Sequence, residues 1–259
     1  MSEPDITSTS NSLVKELVRL RTRRHRDATH QFLIDGRRPV EVAVRSGAPI
    51  LRQIICRELG GEPVVGDVPV TEMAPAPFRK ASIRQKPDGV MALARHLNTG
   101  LSTLQVTDNP LMLVVESLEK PGNLGAMLRT ADAAGVEAVI VADPTTDVHN
   151  PGVVRASQGS LFTVPLAVAT TEAALAWLAA RSIVLVAASP DATTTLWEQS
   201  LSGPVAIAVG TEATGISRQL RGAARGLASI PMMGEIDSLN ASVAAAVMLY
   251  EAVRQRRQS

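Results

Sequence analysis

The second half of this chain is built from short apolar runs set at regular intervals, and they restrict the fold more than any other feature. Leu111–Glu116 is an apolar run with no polar break before its last residue. Further runs follow at 136–141, 162–168, 183–188, 204–210 and 227–230. A strand with one wet face alternates apolar and polar residues, whereas a strand covered on both faces is apolar throughout. Each run is too short to cross a bilayer, which needs roughly 20 residues. Between them lie helical patterns: one opening near Pro121, then 153–158, 172–181 and a small-residue-rich stretch after Ser238 or Asn240, either of which can cap it. Strands alternating with helices at this spacing predict an α/β fold with a parallel sheet.

The first hundred residues read differently. Residues 1–10 are polar and are expected to be disordered. A helix begins after Asn11 or Ser12 and carries Leu13, Leu17 and Leu20 on one face. Strands are expected at 31–36, 50–56, 64–70 and 89–93, with a helix at 38–46. Residues 97–110 contain Gly and Pro among polar residues and are read as a linker. This divides the chain into a small α/β domain, 1–105, and a larger one, 106–259. Charge divides the same way. The front part holds sixteen Lys and Arg against eleven Asp and Glu, and the rest holds ten against fourteen. Lys15, Arg19, Arg23, Arg24, Arg26 and Arg37 therefore become candidates for contact with a polyanion.

Some chemistries are excluded. One cysteine, Cys56, rules out a disulfide framework and a cysteine zinc cage. The histidines do not have zinc-protease spacing, and no metal site is expected. Aromatic residues make up 2% of the chain, so an aromatic stacking platform for RNA is not expected either. There is no long apolar segment and no leader pattern, and a cytoplasmic protein is expected.

Three loops follow the carboxyl ends of predicted strands, at 117–123, 210–215 and 231–238. Ligands of open parallel sheets sit outside those ends, so the loops should converge there. They deliver Asn123, Arg129, Glu212, Ser238 and Asn240. These residues form neither a nucleophile triad nor a phosphate-binding lysine loop.

The motifs Asn123-Leu124-Gly125-Ala126 with Arg129-Thr130, Gly210-Thr211-Glu212 with Gly215, and Ile230-Pro231-Met232 with Ser238-Leu239-Asn240 and Ser242-Val243-Ala244 resemble the three motifs of the SpoU/TrmH family. That family comprises S-adenosylmethionine (AdoMet)-dependent RNA ribose 2′-O-methyltransferases of the SPOUT superfamily. Ala213 and Ala241 stand where Gly and Val are commoner, and both stay small. The front part resembles the family's L30e-like substrate-binding domain. The resemblance implies a trefoil-knotted SPOUT domain with a parallel sheet behind that small domain, and a homodimer formed through the knot. It implies AdoMet held largely by backbone groups at Val209, Gly210, Ile230, Met232 and Leu239. It makes Asn123, Arg129, Glu212, Ser238 and Asn240 the catalytic set.

The expected reaction is methylation of a ribose 2′-hydroxyl, in large-subunit ribosomal RNA before transfer RNA. Two other readings are a ribosomal-RNA-binding protein without catalysis and a small-molecule methyltransferase. The family's motif arginine is often assigned as the base. Arg129 keeps its proton at any ordinary pH, however, and suits a phosphate or a developing alkoxide better.

Overall fold

The computed structural model of the chain describes residues 3–64, 66–212 and 214–258. Contacts divide it into two units. One is Met1–Leu97 with Asp147–Thr163, and the other is Asn98–Thr146 with Val164–Ser259. The segment Asp147–Thr163 thus clusters with the front part although its flanking strands belong to the second unit.

The first unit runs α1 (Ser12–Arg19), α2 (Arg23–Thr29), β1 (Gln31–Asp35), α3 (Arg37–Arg45), β2 (Ile50–Ile55), β3 (Val70–Glu72), α4 (Pro75–Ala81) and β4 (Val90–Arg95). Its four-stranded sheet has the order β1-β4-β2-β3, antiparallel except for the β2–β3 pair. The Asn11 side chain caps α1 by accepting from the Leu13 N–H at 2.9 Å. Val14, Leu17 and Leu20 are buried against Leu33, Met73, Phe78 and Met91. Two expectations fail here. Residues 3–10 were expected to be disordered, yet Ile6 is buried in this core and bridges Met73, with its N–H bonded to the Glu72 carbonyl at 3.1 Å. Polar composition hid a single apolar anchor; Met1 and Ser2 lie outside the described residues. The expected strand at 64–70 starts only at Val70. Val64 is instead held on both sides by the buried Gln53 side chain, which replaces a strand partner; Val65 lies outside the described residues.

The second unit contains β5 (Leu111–Glu116), α5 (Pro121–Ala133) and β6 (Ala138–Ala142). After β6 the chain forms α6 (Pro151–Ser157) in the first unit, then returns. It continues with β7 (Leu166–Ala169), α7 (Thr171–Ala179), β8 (Val184–Ala188), β9 (Val205–Val209), α8 (Arg218–Ala223), β10 (Gly226–Ala228) and α9 (Ala241–Arg256). Six parallel strands lie in the order β10-β8-β9-β5-β6-β7. Strands β5, β6 and β9 are buried at every position, as continuous apolar runs require. Met112, Val114, Ile140, Ala206 and Ala208 share one core with Trp177 and Leu178 of α7 and Leu220 of α8. Helix α9 packs on β9 and along α5. Its alanines permit that approach, and Met248 and Leu249 are fully buried, each worth roughly 1.5–3 kcal/mol. The strand expected at 162–168 begins only at Leu166, because Pro165 has no N–H to give a neighbour and 160–163 turn instead. No described helix is long and apolar enough to cross a membrane.

Candidate active site

A cleft of about 460 Å³ opens at the carboxyl ends of β8, β9 and β10, where Ala188, Val209 and Ala228 form its floor. Ligand pockets of small molecules and cofactors fall in this size range. All five residues expected to hold the cofactor, Val209, Gly210, Ile230, Met232 and Leu239, line it, as do Glu212 and Ser238. The loop after β9 is closed on itself. Thr211 N–H reaches the Gly215 carbonyl at 3.0 Å, and Gly215 N–H returns to Thr211 at 3.1 Å. Gly210 lies so close beneath that closure that a Cβ would stand 2.0 Å from the Gly215 oxygen, while Gly215 takes φ +66°. Gly210 therefore requires glycine, and the left-handed backbone at Gly215 favours it.

The loop is also tied down from below. Glu116, at the end of β5, is 2% exposed and accepts from Ser217 N–H at 2.6 Å, Ser217 hydroxyl at 2.7 Å and Thr171 hydroxyl at 2.8 Å. Three bonds to one buried carboxylate fix the positions of the groups that donate to it.

At the rim, side chains from the first turn of α5 and the residue before it, the loop after β9 and the cap of α9 meet. Asn123 Nδ2 donates to Glu212 Oε1 at 3.0 Å, Asn240 Nδ2 donates to Glu212 and to Asn123 Oδ1, and Lys120 Nζ closes an ion pair on Glu212. Lys120 above all, and Asn123 next, hold the Glu212 carboxyl below its usual range. Glu212 is thus an ionised acceptor and a poor base. Asn240 also caps α9, accepting from Ser242 N–H at 3.0 Å and from its hydroxyl at 2.6 Å. The cap is Asn240 and not Ser238, which is exposed on the cleft wall. Ala213 lies outside the described residues. The motifs alone did not single out Lys120 or Glu116. Lys120 adjoins the first motif, and Glu116 is an acid closing an apolar strand, so each carried a local signal.

Arg129 is different. It lies exposed on α5 and is not part of the cleft wall. The basic candidates of the first unit also separate. Lys15, Arg19, Arg23 and Arg24 are exposed, with Arg23 paired to Asp27 at 3.5 Å. Arg37 is half-buried beside Glu41 at 3.7 Å. Arg26 is 1% exposed, bonded to Asp147 at 2.5 Å and to the Leu20 carbonyl at 2.8 Å. It cannot meet a phosphate, and its expected RNA contact is corrected to a structural role.

A parallel α/β unit with a cleft at the carboxyl edge of its sheet, where residues of all three SpoU/TrmH-like motifs meet, is the arrangement expected of a SPOUT-like methyltransferase. The SpoU rRNA Methylase family matches residues 110–250, and the MRM3-like substrate binding domain matches residues 11–92. This chain belongs to the SpoU rRNA methylase family. It is 33% identical over 250 residues to the 23S rRNA (uridine(2479)-2'-O)-methyltransferase of Streptomyces viridochromogenes, covering 92% of this chain and 87% of the relative. A solved RNA 2'-O ribose methyltransferase superposes with TM-score 0.85 at 42% identity, over 97% of this chain and 99% of the other. The SpoU methyltransferase AviRb of Streptomyces viridochromogenes, solved in complex with AdoMet, gives TM-score 0.87 at 30% identity over 96% and 99%.

Proposed function

We propose that the chain methylates a ribose 2′-hydroxyl of large-subunit ribosomal RNA in the cytoplasm, with AdoMet as methyl donor. One observation carries this reading above the others: Asn123 in the first turn of α5, Glu212 in the loop after β9 and Asn240 at the cap of α9 are hydrogen-bonded together at the mouth of a cofactor-sized cleft. The residues present fit AdoMet. The wall is largely apolar and backbone, with Glu212 and Asp237 adding negative charge that suits a sulfonium cation. When bound, the cofactor supplies an electrophilic methyl on a good leaving group. The protein must then align the hydroxyl and assist loss of its proton. Asn123 and Asn240 hold Glu212 and present polar edges to the ribose. Arg129 provides a forked cation for the target phosphate or the developing alkoxide. The exposed Lys15, Arg19, Arg23 and Arg24 supply the phosphate contacts of the first unit.

The reading includes a homodimer with the knotted threading of the family. Helix α9 exposes Val243 and Tyr250, with Val247 half-buried between them, an apolar stripe that a second copy would cover. Arg129 would then serve the cleft of the partner. The experiment is calorimetric titration with AdoMet followed by tritiated methyl transfer to unmodified large-subunit rRNA. Arg129→Ala should lower transfer by roughly 100-fold or more and leave cofactor affinity unchanged. Equal loss of affinity would place Arg129 in cofactor binding and not in methyl transfer, and a wild-type chain that binds no AdoMet would refute the enzyme itself.

A further inference from the structure

The network at the rim contains one charge that the three motifs do not supply. The side chains bonded to the Glu212 carboxylate all act as donors. Asn123 Nδ2 and Asn240 Nδ2 share Oε1, and the Lys120 ammonium takes Oε2. The two amides are not free to turn and offer an acceptor instead. Asn240 Oδ1 is occupied by the Ser242 N–H at 3.0 Å, and Asn123 Oδ1 by Asn240 Nδ2 at 3.3 Å. The arrangement therefore holds together around an ionised carboxylate, and Lys120 is the first cause of its lowered pKa. Among the described side chains bonded to Glu212, only Lys120 is a cation.

The backbone of Lys120 is fixed on both sides. Upstream, the Thr146 N–H donates to the Leu118 carbonyl at 3.3 Å, and the Thr146 hydroxyl donates to the Glu119 carbonyl. Downstream, Pro121 opens α5, and the Lys120 carbonyl accepts from the Asn123 N–H at 3.1 Å and the Leu124 N–H at 3.4 Å. Lys120 and Asn123 thus stand on one turn and reach the same carboxylate from it. Stability does not account for the pair: the Lys120 side chain is 66% exposed, and an ion pair that open adds little to the fold. Its effect is on geometry. RNA phosphates approaching the rim would repel an unpaired Glu212 and turn it out of the network, and the ammonium offsets that repulsion. We propose that Lys120 is a positioning residue for methyl transfer: it holds the Glu212 carboxylate, and through it the Asn123 and Asn240 amides, in the arrangement that receives the ribose. The assignment rests on the reading of the cleft as a methyltransferase site.

The test is steady-state methyl transfer to unmodified large-subunit rRNA by the full-length protein at saturating AdoMet. Lys120→Met should lower kcat roughly tenfold and leave KM for the rRNA within about twofold. Lys120→Arg restores the charge and should bring kcat back to within about threefold of wild type. The side chain is exposed, so both variants should keep the wild-type urea midpoint, which separates positioning from a loss of fold. A raised KM with unchanged kcat would overturn the proposal and make Lys120 a phosphate contact. Wild-type kcat and KM in Lys120→Met would overturn it too and leave a surface ion pair. A wild-type protein that transfers no methyl group would refute the methyltransferase reading and the proposal with it.

Discussion

Arg26 holds a full charge where water does not reach. Its guanidinium is shared between the Asp147 carboxylate and the Leu20 carbonyl, and neither group has another cation to turn to among the bonds the structure records. Removing one partner of a buried pair strands the other, which typically costs more than the pair itself contributes. Arg26→Ala should therefore lower stability by about 3–5 kcal/mol, read as a shift of the urea midpoint. Arg24→Ala, two positions away and exposed, should stay within about 0.5 kcal/mol. Equal effects would mean that the buried bond carries no weight. Nothing in the run Arg23-Arg24-His25-Arg26 distinguishes these residues, because the partner of Arg26 lies 121 positions along the chain. Asn123, Glu212 and Asn240 were legible for the opposite reason. Each lies on the connection that leaves the carboxyl end of an apolar strand or at the start of the helix that follows it, and the geometry of a parallel sheet brings such positions together.

At the scale of elements, the loop after β9 depends on Glu116. Its three acceptor bonds fasten Ser217, the N-cap of α8, and Thr171, at the start of α7. Glu116→Ala should loosen the loop that carries Gly210 and Glu212. The expected outcome is a loss of about 1–3 kcal/mol in stability together with weaker AdoMet binding, whereas a change in stability alone would separate the anchor from the site. The segment Asp147–Thr163 shows a different dependence. His149 is 6% exposed, stacks on His96 with ring centroids 4.1 Å apart, lies 4.8 Å from Phe32, and accepts the Leu97 N–H at 3.0 Å. Burial first, and His96 second, push its pKa down to about 3. The unfolded chain would take up this proton near pH 6.5 and the folded chain only near 3. Between those values the unfolded state binds more protons, so stability should fall steadily as pH drops from about 6.5. Urea midpoints at pH 7 and pH 5 measure this, and His149→Gln should flatten the difference. The sequence showed four scattered histidines; it did not show that His30, His96 and His149 come to one place, since that depends on where Asp147–Thr163 packs.

At the scale of the whole molecule, the apolar runs were enough to read the parallel sheet, but apolar runs do not say how many copies make an active site. The bearing on that question comes from Arg129. A chain that worked alone would place its motif arginine in its own cleft, and here it stands on α5 outside the wall, while α9 exposes an apolar stripe. If two copies share the work, each site takes Glu212 from one chain and Arg129 from the other. Then Arg129→Ala and Glu212→Gln should each be inactive alone. In a mixed population with random pairing, half of the dimers contain one variant of each kind. In such a dimer one site has both native residues and the other has neither. Co-refolding equal amounts should therefore recover about a quarter of wild-type transfer. If each site is made within one chain, both sites of the mixed dimer are damaged and mixing recovers nothing. Tritium incorporation into rRNA distinguishes the two, and size-exclusion chromatography of the same sample checks that dimers have formed.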